Sequence, residues 1–184
     1  LKQFNHALIP KILRFGKINQ SFFMIENRLR GQAINSVWKN LSTNNKKNII
    51  EQAIKFLRYQ RTKTKDYVYS VKTGKKYKKF LDYLTDGVKR KIIGIKKFKQ
   101  TNKILQDLFL IINDSNIKNL FKTKNVLVHG DLIIHNLLTD GKNLTGVLDW
   151  ESALWSDPDY DLFRLFYYQE CARAYQKQGI DETF

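Results

Sequence analysis

The chain has 184 residues, 42% of them hydrophobic, enough for one sizeable core or for one large lobe and part of another. Lys and Arg total 33 against 17 Asp and Glu, a formal charge of +16, but Lys supplies most of it, scattered among Asn and Ile. Nucleotide bias in an encoding genome gives the same pattern, so charge alone does not single out nucleic acid as a partner. Cys171 is the only cysteine, which excludes an intrachain disulfide. Apolar runs such as Leu108–Ile112 are far too short to span a bilayer, and no signal-peptide pattern opens the chain. A cytoplasmic protein without membrane partners is expected.

In chain order, Ile9–Phe15 and Ser21–Glu26 are β-prone runs separated by the turn-like Gly16-Lys17-Ile18-Asn19. A helix-like stretch follows Asn27–Gly31. Ser42 or Thr43 is placed to cap a helix in which Ile49, Ile50, Ala53, Ile54 and Leu57 fall at helical spacing. Arg61–Lys79 interleaves cations with Tyr67, Tyr69 and Tyr77, the pattern of a stacking-plus-phosphate surface. Charge runs are more often plain exposed faces, and this one reads as a solvated loop and helix start. Phe80–Phe98 and Asn102–Ile112 continue the helical pattern, with a break near Gly94. Pro158 suits a first helical turn capped by Asp157 or Asp159, with Leu162, Phe163, Leu165 and Phe166 packing that helix on the core.

The chemistry concentrates in Val126–Leu138 and Val147–Glu151. An apolar run leads to Asp131, Asn136 follows five residues later, and a second apolar run ends at Asp149. Phosphoryl transfer calls for one carboxylate to orient or deprotonate an acceptor hydroxyl, and for an amide oxygen and a second carboxylate to hold Mg²⁺ against ATP phosphates. Asp131-Leu-x-x-x-Asn136 has the catalytic-loop spacing of protein kinases, with Gly130 where those enzymes carry Arg. Asp140-Gly141 marks a hairpin between the two segments, which would bring Asn136 at its entrance near Asp149 at its exit. Each residue alone reads equally well as a turn cap or strand end; the combination with the hairpin points to a kinase-type site. His6 and His135 lack partners at metal-ligand spacing, so zinc is not expected. Trp150 reads as a packing residue.

These motifs resemble those of the aminoglycoside phosphotransferase and choline kinase family. His129-Gly-Asp-x-x-x-x-Asn136 resembles its catalytic loop, Leu148-Asp-Trp-Glu151 its metal-binding segment, and Asp157-Pro-Asp-Tyr-Asp-Leu162 the motif that opens its next helix. The resemblance implies an α+β, protein-kinase-like fold, with residues 1–28 as the last strands of a small β lobe and hinge. Residues 29–184 would then be a mostly helical large lobe carrying the catalytic hairpin. It implies ATP and Mg²⁺ as cofactors and transfer of the γ-phosphate to a small-molecule hydroxyl, on an aminoglycoside-, choline- or sugar-like acceptor. Asp131 would be the base, Asn136 and Asp149 the metal ligands, and His129 and Asp161 support for the catalytic loop. Glu26, Asn27 and Arg28 would form the adenine-binding hinge, with Leu138 and Leu148 as the apolar floor. Glu151 and Asp159 are candidates for an acidic acceptor mouth that would attract a polyamine or quaternary amine.

The resemblance also implies a Gly-rich loop and a strand Lys ahead of Ile9. No Gly-x-Gly-x-x-Gly occurs, and Val71-Lys-Thr-Gly-Lys-Lys76 lacks P-loop spacing. The 184 residues are therefore expected to be an incomplete piece, incomplete at the C-terminus as well, and not a competent kinase alone. Gly130 and the short interval from Asp149 to Pro158 argue against an activation-loop switch and a protein-kinase role. Rival readings are a degenerate, non-catalytic kinase-like protein and a basic RNA-binding module, the latter marked by steeply salt-dependent affinity.

Overall fold

The computed structural model describes residues 6–95 and 124–167, with 107, 110, 111 and 114 between them. The chain divides into two compact units. One draws on Leu1–Tyr59, Asp131–Trp150 and Asp161–Phe184, the other on Gln60–Gly130 and Glu151–Tyr160.

In the first unit, β1 (Ile12–Ile18) and β2 (Ser21–Glu26) form an antiparallel hairpin. The turn is shorter than the sequence suggests. Gly16, Lys17 and Ile18 pair with Phe23, Phe22 and Ser21, which leaves Asn19–Gln20 to reverse the chain. Asn19 takes φ 54°, a left-handed conformation that Asn tolerates better than most residues. Gly16 stays in the strand, where a Cβ would lie 2.8 Å from the Phe23 ring. The strand starts at Ile12 rather than Ile9. Ile9 instead closes a turn by donating to the His6 carbonyl at 3.0 Å, and Pro10 has no N–H for a ladder.

A second sheet in this unit runs in the order β3 (Gln32–Ala33), β8 (Leu137–Thr139), β9 (Leu144–Val147), all antiparallel. The helix α1 (Ile34–Val37) follows β3 and buries Ile34. The longer α2 (Thr43–Gln60) is capped by Ser42, whose Oγ accepts the Asn45 N–H at 3.2 Å and whose carbonyl accepts that of Lys46 at 3.0 Å. Its buried stripe is Ile49, Ala53, Phe56, Leu57 and Gln60, while Ile50 and Ile54 face outward. Both stripes fit helical spacing; the one that carries Phe56 removes more apolar area from water.

The second unit is built on an antiparallel sheet ordered β4 (Thr64–Lys65), β7 (Asn125–Val128), β10 (Leu154–Ser156), β5 (Val68–Ser70), β6 (Lys76–Tyr77). Three of these strands come from the basic segment 61–79, which the sequence suggested was loop and helix start. Val68 and Ser70 point inward and Tyr69 less so, an alternation too brief to register against the lysines around it. The core joins Val68, Phe80, Val126, Val128 and Leu154, flanked by Tyr77, Tyr83, Leu84 and Tyr160. Burial together with the hydrogen bond to Asp86 (2.6 Å) pushes the Tyr77 phenol up to about 12. The helix α3 (Phe80–Ile95) continues through Gly94 without the expected break. Residues 96–98 and most of the expected 102–112 helix lie outside the described residues.

Residues 160–167 are helical. Asp157 opens this helix, accepting the Asp159 N–H on its carboxylate at 2.9 Å and the Tyr160 N–H on its carbonyl at 3.1 Å. Phe163 and Phe166, expected to pack on the core, are exposed; Phe163 stacks on Tyr167 instead, with ring centroids 5.2 Å apart.

Candidate active site

The loop after β7 is shaped by Gly130. It adopts φ 84°, and a Cβ there would lie 2.1 Å from the Ser152 carbonyl oxygen, so no side chain fits where protein kinases carry Arg. His129 before it is completely buried, as is Asp161 at the start of the last helix. Asp131 is partly open to solvent. A 3₁₀ turn at Ile134–Asn136 then carries the chain into β8.

Asn136 is held from both sides. Its backbone N–H donates to Ile133 at 3.0 Å, and its carbonyl accepts the Leu148 N–H at 2.8 Å, the residue before Asp149. Its side-chain Nδ2 donates to the Asp131 carbonyl at 3.0 Å. That contact fixes the amide with Oδ1 left as an oxygen donor for a cation. The backbone of Asp131, Asn136 and the start of Leu148–Asp149 is thus tied into one network at the open end of the β8–β9 hairpin. Asp149 is exposed and takes φ 62°, a left-handed conformation that is uncommon for a residue with a side chain. Strain of this kind is stored where the surrounding structure over-determines it, often at functional positions.

The hairpin is fixed at its far end by its own turn. Thr139 Oγ1 and Asp140 bond the backbone of Gly141, Lys142 and Asn143, with the Asp140 carboxylate accepting the Asn143 and Lys142 N–H groups at 2.7 and 2.8 Å. These bonds, that to Asn143 first, hold the Asp140 carboxyl below its usual range. A second clamp was not legible in the sequence. Asn45, Asn48 and Gln52, at helical spacing on α2, reach the turn as an amide ladder. Asn45 donates to the Gly141 carbonyl at 2.8 Å and Asn48 to that of Lys142 at 2.7 Å, while Gln52 accepts the Leu144 N–H at 3.1 Å and donates to Asn143 Oδ1 at 3.0 Å.

Of the expected apolar floor, Leu138 is buried and Leu148 half-buried. Leu29 joins them in a way spacing did not reveal: a Cβ on Gly146 would meet Leu29 Cδ1 at 2.8 Å and Leu138 Cδ1 at 3.1 Å, so this glycine lets Leu29 close over the hairpin beside Leu138. Among the hinge candidates, Glu26 pairs with Ile12 in the ladder, and Asn27 is engaged with Lys11 through both its backbone N–H (3.0 Å) and its side-chain oxygen. Arg28 is exposed.

Arg164 is the other residue that sequence reading missed. Its Nη2 donates to Asp131 Oδ1 in an ion pair. The signal was its place three residues after Asp161, which puts both on one helical face. Glu151 and Asp159, expected to stand free as an acidic mouth, are each ion-paired within the second unit, Glu151 with Lys72 at 2.9 Å and Asp159 with Arg61 at 2.6 Å. In the basic segment, Lys65 donates to the Tyr67 hydroxyl at 2.8 Å and lies 4.8 Å from the Trp155 ring centre, and Lys76 lies 3.8 Å from that of Tyr67. The chain's own ammonium groups cover these rings, and the bond from Lys65 draws the Tyr67 phenol below its usual value.

An amide and a carboxylate stand at one hairpin end, and the amide is bonded to the loop Asp131, the grouping expected of a kinase-type site. The profile of the phosphotransferase enzyme family matches residues 2–181, and the chain belongs to that family. Hygromycin-B 4-O-kinase of Escherichia coli is 33% identical over 52 residues, 28% of this chain and 15% of that protein. The structure is similar to that of a thermostable mutant of aminoglycoside phosphotransferase APH(4)-Ia in its apo form, with TM-score 0.67 and 19% identity over 96% of this chain and 64% of the other. It is also similar to the streptomycin–ATP–APH(2")-IIa ternary complex, with TM-score 0.61 and 23% identity over 84% of this chain and 52% of the other. The fold is therefore the α+β, protein-kinase-like fold of these enzymes. The chain spans less than two thirds of the length of either structure.

Proposed function

We propose that the protein is an ATP-dependent phosphotransferase acting on a hydroxyl of a small molecule. The observation that carries this reading is the joining of Asp131, Asn136 and Leu148–Asp149 by the Asn136 side-chain and backbone bonds. Asp131 takes the proton of the acceptor hydroxyl as its oxygen bonds to the γ-phosphorus; the bond from that phosphorus to the β,γ-bridging oxygen breaks, and ADP leaves. Asn136 Oδ1 and Asp149 would hold Mg²⁺. One carboxylate, one amide oxygen and the nucleotide's phosphates are oxygen donors of the kind this cation takes. Bound there, Mg²⁺ would neutralise charge on those phosphates. Leu138 and Leu148 floor the adenine site, and Glu26, Asn27 and Arg28 form its hinge. His129 and Asp161, both buried, steady the loop.

The test is transfer from γ-labelled ATP to a panel of aminoglycoside, choline-like and sugar-like hydroxyl compounds by the full-length protein, with Asp131→Ala as control. Mg²⁺-dependent transfer that this substitution abolishes supports the reading. ATP binding without transfer to any acceptor would favour a non-catalytic kinase-like protein.

A further inference from the structure

The guanidinium at Asp131 has no place in the roles assigned so far. Asp131 and Arg164 are each about one third exposed (31% and 32%), so their pair stands at the surface of the site and is open to a bound molecule. The contact is single-pronged: Nη2 meets Oδ1, while Nε is buried and has no hydrogen-bond partner among the described residues. A guanidinium offers five donors in a planar fork suited to two oxygens at once, and a carboxylate pair normally recruits two of them. Here the fork is only partly used. The Asp131 backbone is meanwhile fixed independently, through its carbonyl, by Asn136. Arg164 is therefore not needed to place the loop.

Resting on the phosphotransferase reading, we propose that Arg164 selects the acceptor. The reacting hydroxyl must reach the Asp131 carboxylate, and Arg164 already touches that carboxylate. Whatever group flanks the reacting carbinol is then within reach of the guanidinium. An oxygen there, whether hydroxyl or carboxylate, gains a charge-assisted hydrogen bond from a terminal Nη–H that Asp131 does not use, the buried Nε being out of reach. An ammonium there meets a like charge in a half-buried setting. The acceptor is a hydroxyl compound with an oxygen function on the carbon beside the reacting one, a polyol or hydroxy acid, and not an amino alcohol. The ion pairs of Glu151 and Asp159 leave neither carboxylate as an uncompensated attraction for a polyamine.

The experiment compares glycerol and glycerate with ethanolamine and choline as acceptors for the full-length protein and for Arg164→Gln and Arg164→Lys. The native protein should favour the oxygen-flanked acceptors by about tenfold or more in kcat/KM, the worth of one charge-assisted hydrogen bond. Arg164→Gln should erase that preference through the acceptor KM, leaving the KM for ATP unchanged, and Arg164→Lys should keep the order. A native preference for ethanolamine or choline, or a ranking that Arg164→Gln leaves intact, would overturn the proposal while the phosphotransferase reading stands. Absence of transfer to every acceptor, including those of the wider panel, would remove that reading and this proposal with it. If Arg164→Gln does not fold, as judged by circular dichroism, the native ranking and that of Arg164→Lys decide, and loss of the order in the lysine variant counts against selection by charge.

Discussion

Two hairpins lie in the same unit and make opposite use of the same local signal. Both β1–β2 and β8–β9 are antiparallel pairs closed by Asn- or Asp-containing turns. The first exposes Leu13, Phe15, Ile18, Phe22, Met24 and Ile25, with Phe22 at 83%. The second buries Leu137, Leu138, Thr139, Leu144 and Val147, and α2 grips its turn through Asn45, Asn48 and Gln52. Turn chemistry makes a hairpin; burial and side-chain clamps make one rigid enough to hold Asn136 and Asp149 in register at its open end. Substitutions that act on one hairpin and spare the other test this difference.

The largest effect is expected where the clamped hairpin meets the chemistry. Asp131→Ala should lower kcat by roughly 10²–10⁴-fold, the range for a positioned general base, with a much smaller change in acceptor KM, measured by steady-state kinetics. Asp149→Asn keeps a residue that tolerates φ 62° but removes the charge. Its loss of activity should recover in part at high Mg²⁺, and a defect indifferent to metal would remove Asp149 from the ligand set.

Gln52→Ala tests the clamp without touching the site. It leaves the Leu144 N–H without its partner on α2 and removes one of the two amide donors to Asn143 Oδ1, that of Asn48 remaining, and should destabilise the protein by about 1–3 kcal/mol in chemical denaturation. Activity should fall with it, because the ends of β8 and β9 carry Asn136 and Asp149.

A smaller, pH-dependent effect should separate the two turns. The folded-state value of Asp140 lies below its unfolded value of 3.8, so its contribution is present above pH 3.8 and is lost as pH falls through the folded-state value. Hydrogen exchange of the β8–β9 amides should quicken, relative to neighbouring amides, on acidification below about pH 4. Asp140→Asn should remove that component, and β1–β2, whose Asn19–Gln20 turn has no titrating group, should not show it. The smallest effect is expected at Phe22: Phe22→Ser should change stability by no more than about 0.5 kcal/mol, as at other exposed positions. A loss comparable with that of Gln52→Ala would erase the distinction between the hairpins.

The local pieces of the candidate site were legible in the sequence. Asp131, Asn136, Asp149 and the Asp140-Gly141 turn are read from spacing because a hairpin converts distance along the chain into proximity, and turn residues advertise themselves. Ser42 as a cap and Trp150 as a packing residue were legible for the same reason, each being decided within a few residues. Other features depended on partners far away in sequence. Three amides of α2 looked like part of the Asn-rich background until their contacts, more than 90 residues distant, showed them holding the turn. Strands in the basic segment formed because β7 and β10 gave their backbone groups partners, against local composition. Only the tertiary structure placed Arg164 on Asp131, 33 residues away, and paired Glu151 with Lys72 and Asp159 with Arg61. A side chain's charge is written in the sequence, but the field it makes depends on what stands opposite, and packing alone decides that.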